Sequence, residues 1–361
     1  MIELGIAPIG WTNDDLPEIG GDITFEQCIS EMALAGYKGC EVGTKFPKNN
    51  LPLLKKHLDL RNLRICNQWF SYEFSSQPFE TIKTNFKSHL NFLKYFEAKV
   101  VGGAETGNSI HGNIKVPVSS RKQPSKEVWD KLLIGLNELG KYSLEEFGIK
   151  LSYHHHVGTM IENISEVDRL LNETDERYVS LNYDCGHFYF TNEDPLEAIK
   201  KYMPRISHIH LKDVRNNIKT RVEKENLSFL EGVKLGVFTV PGDGDIEKTE
   251  FKMMGTKLAK LAGTVVELVM EVGSTVLLDT AVEPILKAVF GAALPEGLTK
   301  EVALKVAREL QDGNTPKLVE KVQFAFGIVL GYGNLPNVIV KSIRGDCAFN
   351  PLDSEDMNKL M

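Results

Sequence analysis

The chain has 361 residues, 42% of them apolar and 25% charged, which is material for one large domain or two ordinary ones with a sizeable core. Its net charge of −7 argues against nucleic acid or an anionic membrane surface as a partner. Cys28, Cys40, Cys66, Cys185 and Cys347 are odd in number and lack CxxC spacing, so a reduced, cytoplasmic protein is expected. The opening "MIELGIAPIGW" reads as a first strand and not as a leader, and no run reaches about 18 uninterrupted apolar residues, so no membrane span is expected.

In chain order, short apolar runs alternate with helical patterns. "LGIAPI" (4–9) precedes "TFEQCISEMALAG", in which Phe25, Cys28, Ile29 and Met32 fall at helical spacing. "GCEVG" (39–43) precedes "LPLLKKHLDL", and "LRICNQ" (63–68) precedes a helix over 79–96. "AKVVGG" (98–103) leads to a long helix within 126–147, and "IKLSYHHH" (149–156) to one around 164–171. "YVSLNYD" (178–184) leads to "PLEAIKKY", where Pro195 suits a first helical position, and "RISHIHL" (205–211) is the seventh strand. Seven such alternations predict parallel β/α units. A closed (β/α)8 TIM barrel covers parallel strands on both faces. The competing doubly wound sheet usually brings a glycine-rich phosphate turn, and neither GxGxxG nor a Walker-type loop occurs.

In a barrel of this kind the working side chains sit at the C-terminal ends of the strands and point inward. The period of two places Leu151, Tyr153 and His155 on one face and Ser152, His154 and His156 on the other. The apolar set belongs to the outer helices, so His154 and His156 are predicted to face the axis. His155 is predicted to pack against helices or reach a backbone carbonyl. The same argument turns Asn182 and Asp184 inward, and His208 and His210 inward. Three neighbouring strands then end in polar groups, with His187 close to Asp184. A buried carboxylate among imidazoles is costly unless compensated, and a divalent metal compensates it; N/O donors suit manganese, cobalt, zinc or iron. Each residue also has a structural reading: Asp184 as a helix cap, Glu41 of "GCEVG" as a surface charge near a turn, Lys212 and Asp213 of "HLKDVR" as a solvated loop pair.

The stretches "GIAPIGWTNDDLPEIGGD", "GYKGCEVGTKFP", "YHHHVGTMIE", "YDCGHFYF", "HIHLKDVR" and "NLSFLEGVKLGVFTVPGDGDI" together resemble the inosose dehydratases, enzymes of myo-inositol catabolism in the xylose-isomerase-like barrel superfamily. The resemblance covers residues 1–246. It implies dehydration of a cyclic polyol ketone, 2-keto-myo-inositol (scyllo-inosose), to a trihydroxycyclohexane-dione, with manganese or cobalt and with glutathione as an additional cofactor. The related sugar epimerases hold their metal with Glu, Asp, His and Glu from strands five to eight. By resemblance Asp184 falls on the Asp position, His210 on the metal His and His187 on a substrate-contacting His, while His154 occupies the fifth-strand Glu position. The implied metal set is His154, Asp184, His210 and Glu267. Acid or base candidates, unranked, are Glu41, His156, His187 and Lys212.

Beyond Ile246 the sequence departs from the family. In "EKTEFKMMGTKLAKLAGTVVELVMEVG" a "VVE" recurs, with Glu267 at about the family distance beyond "PGDG". A closing strand over "TVVEL" would turn Val265 and Glu267 inward. "LDTAVEPILKAVFGAAL" and "TKEVALKVARELQ" read as helical, so the expectation is a barrel over 1–273 and an atypical, mostly helical extension over 274–361, with a homo-oligomer as the candidate assembly. Two alternatives stand beside the lyase: an isomerase or epimerase on the same barrel, and a non-catalytic protein that binds metal or polyol. Epimerases of this type want two symmetric carboxylates facing the substrate, and His154 in place of a fifth-strand Glu favours the lyase.

Overall fold

A computed structural model describes residues 4–246 and the strand at 267–270. These residues fall into two compact units. The smaller comprises 20–37 and 45–63; the larger comprises 4–19, 38–44, 64–246 and the strand at 267–270. The smaller unit holds α1 (Phe25–Leu34), capped by the Thr24 side chain, and α2 (Leu51–Asp59), capped by Asn50. Phe25 packs edge-on against Phe46 and His57.

The larger unit carries the sheet. Its strands are β1 (Leu4–Ile6), β2 (Gly39–Glu41), β3 (Arg64–Asn67), β4 (Phe70–Tyr72), β5 (Val100–Glu105), β6 (Lys150–His154), β7 (Val179–Asp184) and β8 (Ile206–Leu211). A short antiparallel pair, β9 (Asp213–Val214) and β10 (Phe238–Thr239), precedes β11 (Glu267–Met270). The main sheet runs β3-β2-β1-β11-β8-β7-β6-β5-β4, parallel at every step. Its two ends, β3 and β4, are consecutive pieces of one segment. The sheet therefore closes on itself as an eight-stranded barrel whose third strand is split at Gln68 and Trp69. Closure brings the β4 and β5 backbones so near that a Cβ on Gly103 would lie 1.8 Å from the Phe70 carbonyl oxygen.

Helices fill the crossovers. α3 (Phe79–Tyr95) buries Ile82, Phe86, Leu90 and Leu93 at helical spacing. α4 (Lys126–Tyr142) starts on a Ser125 cap and runs into a π-helical turn, Ser143–Phe147. α5 (Ile164–Asn172) opens with an Asn163/Glu166 capping box. α6 (Cys185–Phe190) follows β7 directly, then α7 (Pro195–Tyr202) with Pro195 in its first turn. α8 (Asn216–Lys224) and α9 (Phe229–Lys234) follow β9. None of the described helices is long and apolar enough to cross a membrane.

The parallel barrel is as the alternation predicts, and all seven anticipated strands form. The third is longer than the expected 63–68, continuing to Tyr72 after its break. The closing strand is Glu267–Met270, paired to both β1 and β8, so Glu267 is its first residue. Residues 264–266, the proposed boundary at 273/274 and the helical extension lie outside the described residues.

Candidate active site

Alternation along β6, β7 and β8 sends Leu151, Tyr153, Leu181, Tyr183 and Ile209 into a fully buried outer layer. The Tyr183 hydroxyl donates to the Pro195 carbonyl there. The opposite faces supply a cluster at the strand ends, where β6 terminates at His154 and β7 at Asp184.

Asp184 is wholly buried and lies at the centre of this cluster. Its Oδ1 accepts the His187 backbone N–H at 3.0 Å, capping α6. Its Oδ2 lies 3.0 Å from Lys212 Nζ, 3.2 Å from His154 Nε2, and 3.7 Å from both His187 Nε2 and His210 Nδ1. Burial pushes its carboxyl up, but the Lys212 ammonium, then His187, His154 and His210, outweigh this and hold it well below the usual carboxylate range. The helix-cap reading and the cluster reading of Asp184 both hold, one on each oxygen.

Glu41 ends β2 at a register shift that pairs it with Asn67. Shifts of this kind re-aim side chains beside functional sites. Its Oε1 accepts from Asn67 Nδ2 at 2.9 Å, His208 Nε2 at 2.9 Å and His210 Nε2 at 3.0 Å. Burial opposes its ionisation, but His210 and His208 keep its carboxyl well below the ordinary value. Glu41 is thus a buried partner of two histidines, not a surface charge. His154, Asp184 and His187 form one group with ligand atoms within 4.8 Å of one another, and Glu41, His208 and His210 form a second. His210 touches both. Glu267 stands opposite His208 in the β8–β11 register, and its side chain lies outside the described residues.

These donors suit a divalent cation. His210 bridges the two carboxylates, with Nε2 3.0 Å from Glu41 Oε1 and Nδ1 3.7 Å from Asp184 Oδ2. Two buried carboxylates among imidazole nitrogens form the N/O donor set that suits a divalent cation, which would balance their charge. Lys212 already supplies one positive charge here, and its ammonium also lies 3.1 Å from His187 Nε2 and over the Phe238 ring. A Cβ on Gly186 would fall 2.1 Å from Lys212 Cγ, so the first turn of α6 leaves the room that the lysine stem occupies. Asp213 is fully buried and accepts backbone N–H groups from Val214, Gly242 and Ile246, which fastens the "PGDGDI" loop. Neither residue of the "KD" pair is solvated.

His155 stacks on Phe188 with ring centroids 3.7 Å apart, and its Nε2 accepts the Asp184 N–H at 3.1 Å. Burial lowers its pKa to about 3, which fits a neutral ring that accepts instead of donating. His156 donates Nδ1–H to its neighbour's carbonyl, Val157 O, at 2.8 Å, leaving its lone pair on Nε2. Burial keeps this ring well below the ordinary histidine range, and so neutral. The His187 pKa is likewise pushed well below the ordinary histidine range, by burial first and then by His156 and Lys212, against the pull of Asp184.

A cavity of about 340 Å³ opens above the cluster, touching Glu41, His154, His156 and Lys212. That lies at the small end of the ligand-pocket range of roughly 300–1,000 Å³. Trp69, Phe229 and Phe238 give it apolar walls. Asp15, Trp69 and His111 also line it, and sequence reasoning did not single them out. Asn67 was missed too, although it ends an inward-alternating strand, which is the one signal that could have found it. Glu105, buried at the end of β5, accepts from Phe74 N, Ser75 Oγ and Gly107 N and so holds loops together.

A closed parallel barrel with carboxylates and imidazoles gathered at strand C-termini defines a TIM-barrel enzyme. The family model described as a xylose isomerase-like TIM barrel matches residues 29–254. Among solved structures, the IOLI protein with a zinc atom aligns at TM-score 0.54 and 17% identity, covering 85% of this chain and 96% of that one. The inosose dehydratase of Geobacillus thermodenitrificans (strain NG80-2) is 53% identical over 247 residues, 68% of this chain and 82% of its own length. That of Clostridium perfringens (strain 13 / Type A) is 48% identical over 247 residues, with the same two shares. The chain belongs to the inosose dehydratases, hydro-lyases of the xylose isomerase-like TIM barrel family.

Proposed function

We propose that the chain removes water from scyllo-inosose (2-keto-myo-inositol) to give trihydroxycyclohexane-1,2-dione, as a metal-dependent cytoplasmic enzyme of myo-inositol catabolism. The observation that carries this reading is a neutral imidazole, His156, lining the same cavity as a buried acid–imidazole cluster. The dehydratases with which the chain shares about half its residues over 247 positions support the substrate.

His154, Asp184 and His210 would hold a divalent ion, manganese or cobalt, with Glu267 of β11 as the fourth candidate. When bound, such an ion polarises the substrate ketone and acidifies the adjacent C–H. His156 Nε2 takes that proton, the electron pair forms the ring double bond, and the β-hydroxyl, protonated by an acid on the cavity wall, departs as water. The α-hydroxy enone so formed is the enol of the dione. Lys212, held by Asp184 and His187, sets a positive charge at the wall where negative charge develops on oxygen. Trp69 and Phe229 limit the water around the reacting atoms. Glutathione enters no step of this reading.

The test is incubation of the full chain with scyllo-inosose and Mn²⁺, following dione absorbance. Dione formation supports the proposal. An epimerised inosose without dione would point to the isomerase alternative, in which the proton is returned.

A further inference from the structure

The loop after β5 brings a second imidazole to the cavity. His111 lines it, with its ring centroid 5.2 Å from that of His156. Ile110 N–H donates to Gly158 O at 2.8 Å, tying this loop to the turn after the three histidines. Gly158 has φ +77°, and a Cβ there would lie 3.2 Å from His111 Cα and N. Glycine in "HHHVGT" therefore serves the approach of His111 as well as the turn.

The hydrogen bonds also fix which nitrogen faces the ligand. Ser109 Oγ donates to Thr106 O at 3.0 Å, so it accepts from His111 Nδ1 at 2.8 Å. His156 Nδ1 donates to Val157 O. Both rings have Nδ1–H committed to a fixed acceptor, and both are left with Nε2 as the atom a ligand can reach. Burial, the larger effect, lowers the His111 pKa, and the Asp15 carboxylate on the same cavity offsets only part of this.

Expelling a β-hydroxyl requires a proton on the leaving oxygen as well as a base at the C–H. The geometry points to His111 as that acid: as the imidazolium, with Nδ1–H still on Ser109, it passes its Nε2–H to the departing hydroxyl as the C–O bond breaks, while His156 Nε2 takes the C–H proton. One proton is gained and one lost, so the pair returns to its starting state by a single transfer between rings 5.2 Å apart. The inference rests on the dehydration reading above.

The test compares scyllo-inosose with an analogue in which fluoride replaces the departing hydroxyl, since fluoride leaves without a proton. In the full chain, His111→Gln should lower kcat on scyllo-inosose by at least about a hundredfold with little change in KM, and leave kcat on the fluoro analogue near wild type. His156→Gln should lose both. Ser109→Ala keeps the ring but removes its Nδ1 acceptor, and should show the same selective loss at roughly tenfold; it serves if His111→Gln does not fold. Equal losses of His111→Gln on both substrates, or no loss on scyllo-inosose, would overturn the assignment. A wild-type protein that turns over neither substrate would overturn the dehydration reading, and this inference with it.

Discussion

Asp184 divides its two oxygens between a helix cap and a charge cluster, so two substitutions separate those duties. Asp184→Asn keeps an oxygen for the His187 N–H but leaves the buried Lys212 ammonium without its carboxylate, and should destabilise the fold by about 3 kcal/mol. Asp184→Ala should lose about 1 kcal/mol more, for the cap. Urea unfolding decides it: equal midpoints for the two variants would remove the cap from the account. Glu105 allows a pH test away from the cluster. Burial, against hydrogen bonds from Ser75, Gly107 and Phe74, raises its pKa above the ordinary 4.5. The folded state therefore holds the proton more tightly than the unfolded one, and ionisation costs stability. Wild type should lose stability relative to Glu105→Gln as pH rises from about 4.5 through the folded pKa, and keep a constant difference above it. A difference independent of pH from 4 to 8 would contradict the raised value. Strand alternation alone was enough to turn His154, Asp184, His208 and His210 inward. It could not show that Glu41 would reach His208 and His210, because that contact spans 167 and 169 residues and depends on closure.

Elements with a strong period were legible nearly to the residue: the helix read over 79–96 is Phe79–Tyr95. α6 was not, because six residues of "CGHFYF" are too few to show a period, and Asp184 is its only start signal. β4 was missed because "FSY" becomes a strand only by pairing with β5. That seam makes a prediction. In Gly103→Ala the new Cβ would meet the Phe70 backbone, which has no rotamer by which to yield. β4 and β5 must then part, at a cost of roughly 1–3 kcal/mol or more. A denaturation midpoint unchanged by this substitution would contradict the closeness of the two strands.

Across the whole molecule, the barrel was legible because seven strand–helix units repeat, and its closure was not, because the family resemblance ends at Ile246. Glu267, the last residue of the "VVE" match, begins the closing strand, Glu267–Met270, where the register opposite His208 is fixed by backbone pairing. Net charge carried no hint of the site, since Glu41 and Asp184 are offset locally by histidines and Lys212. The proposed dehydration of a polyol ketone depends on a divalent ion held at the strand ends. Chelating the purified full chain and assaying dione formation before and after adding Mn²⁺ or Co²⁺ tests it most directly. Activity should be lost on chelation, return with either ion, and not return in Asp184→Asn. Full activity in chelated protein shown by elemental analysis to be metal-free would contradict it.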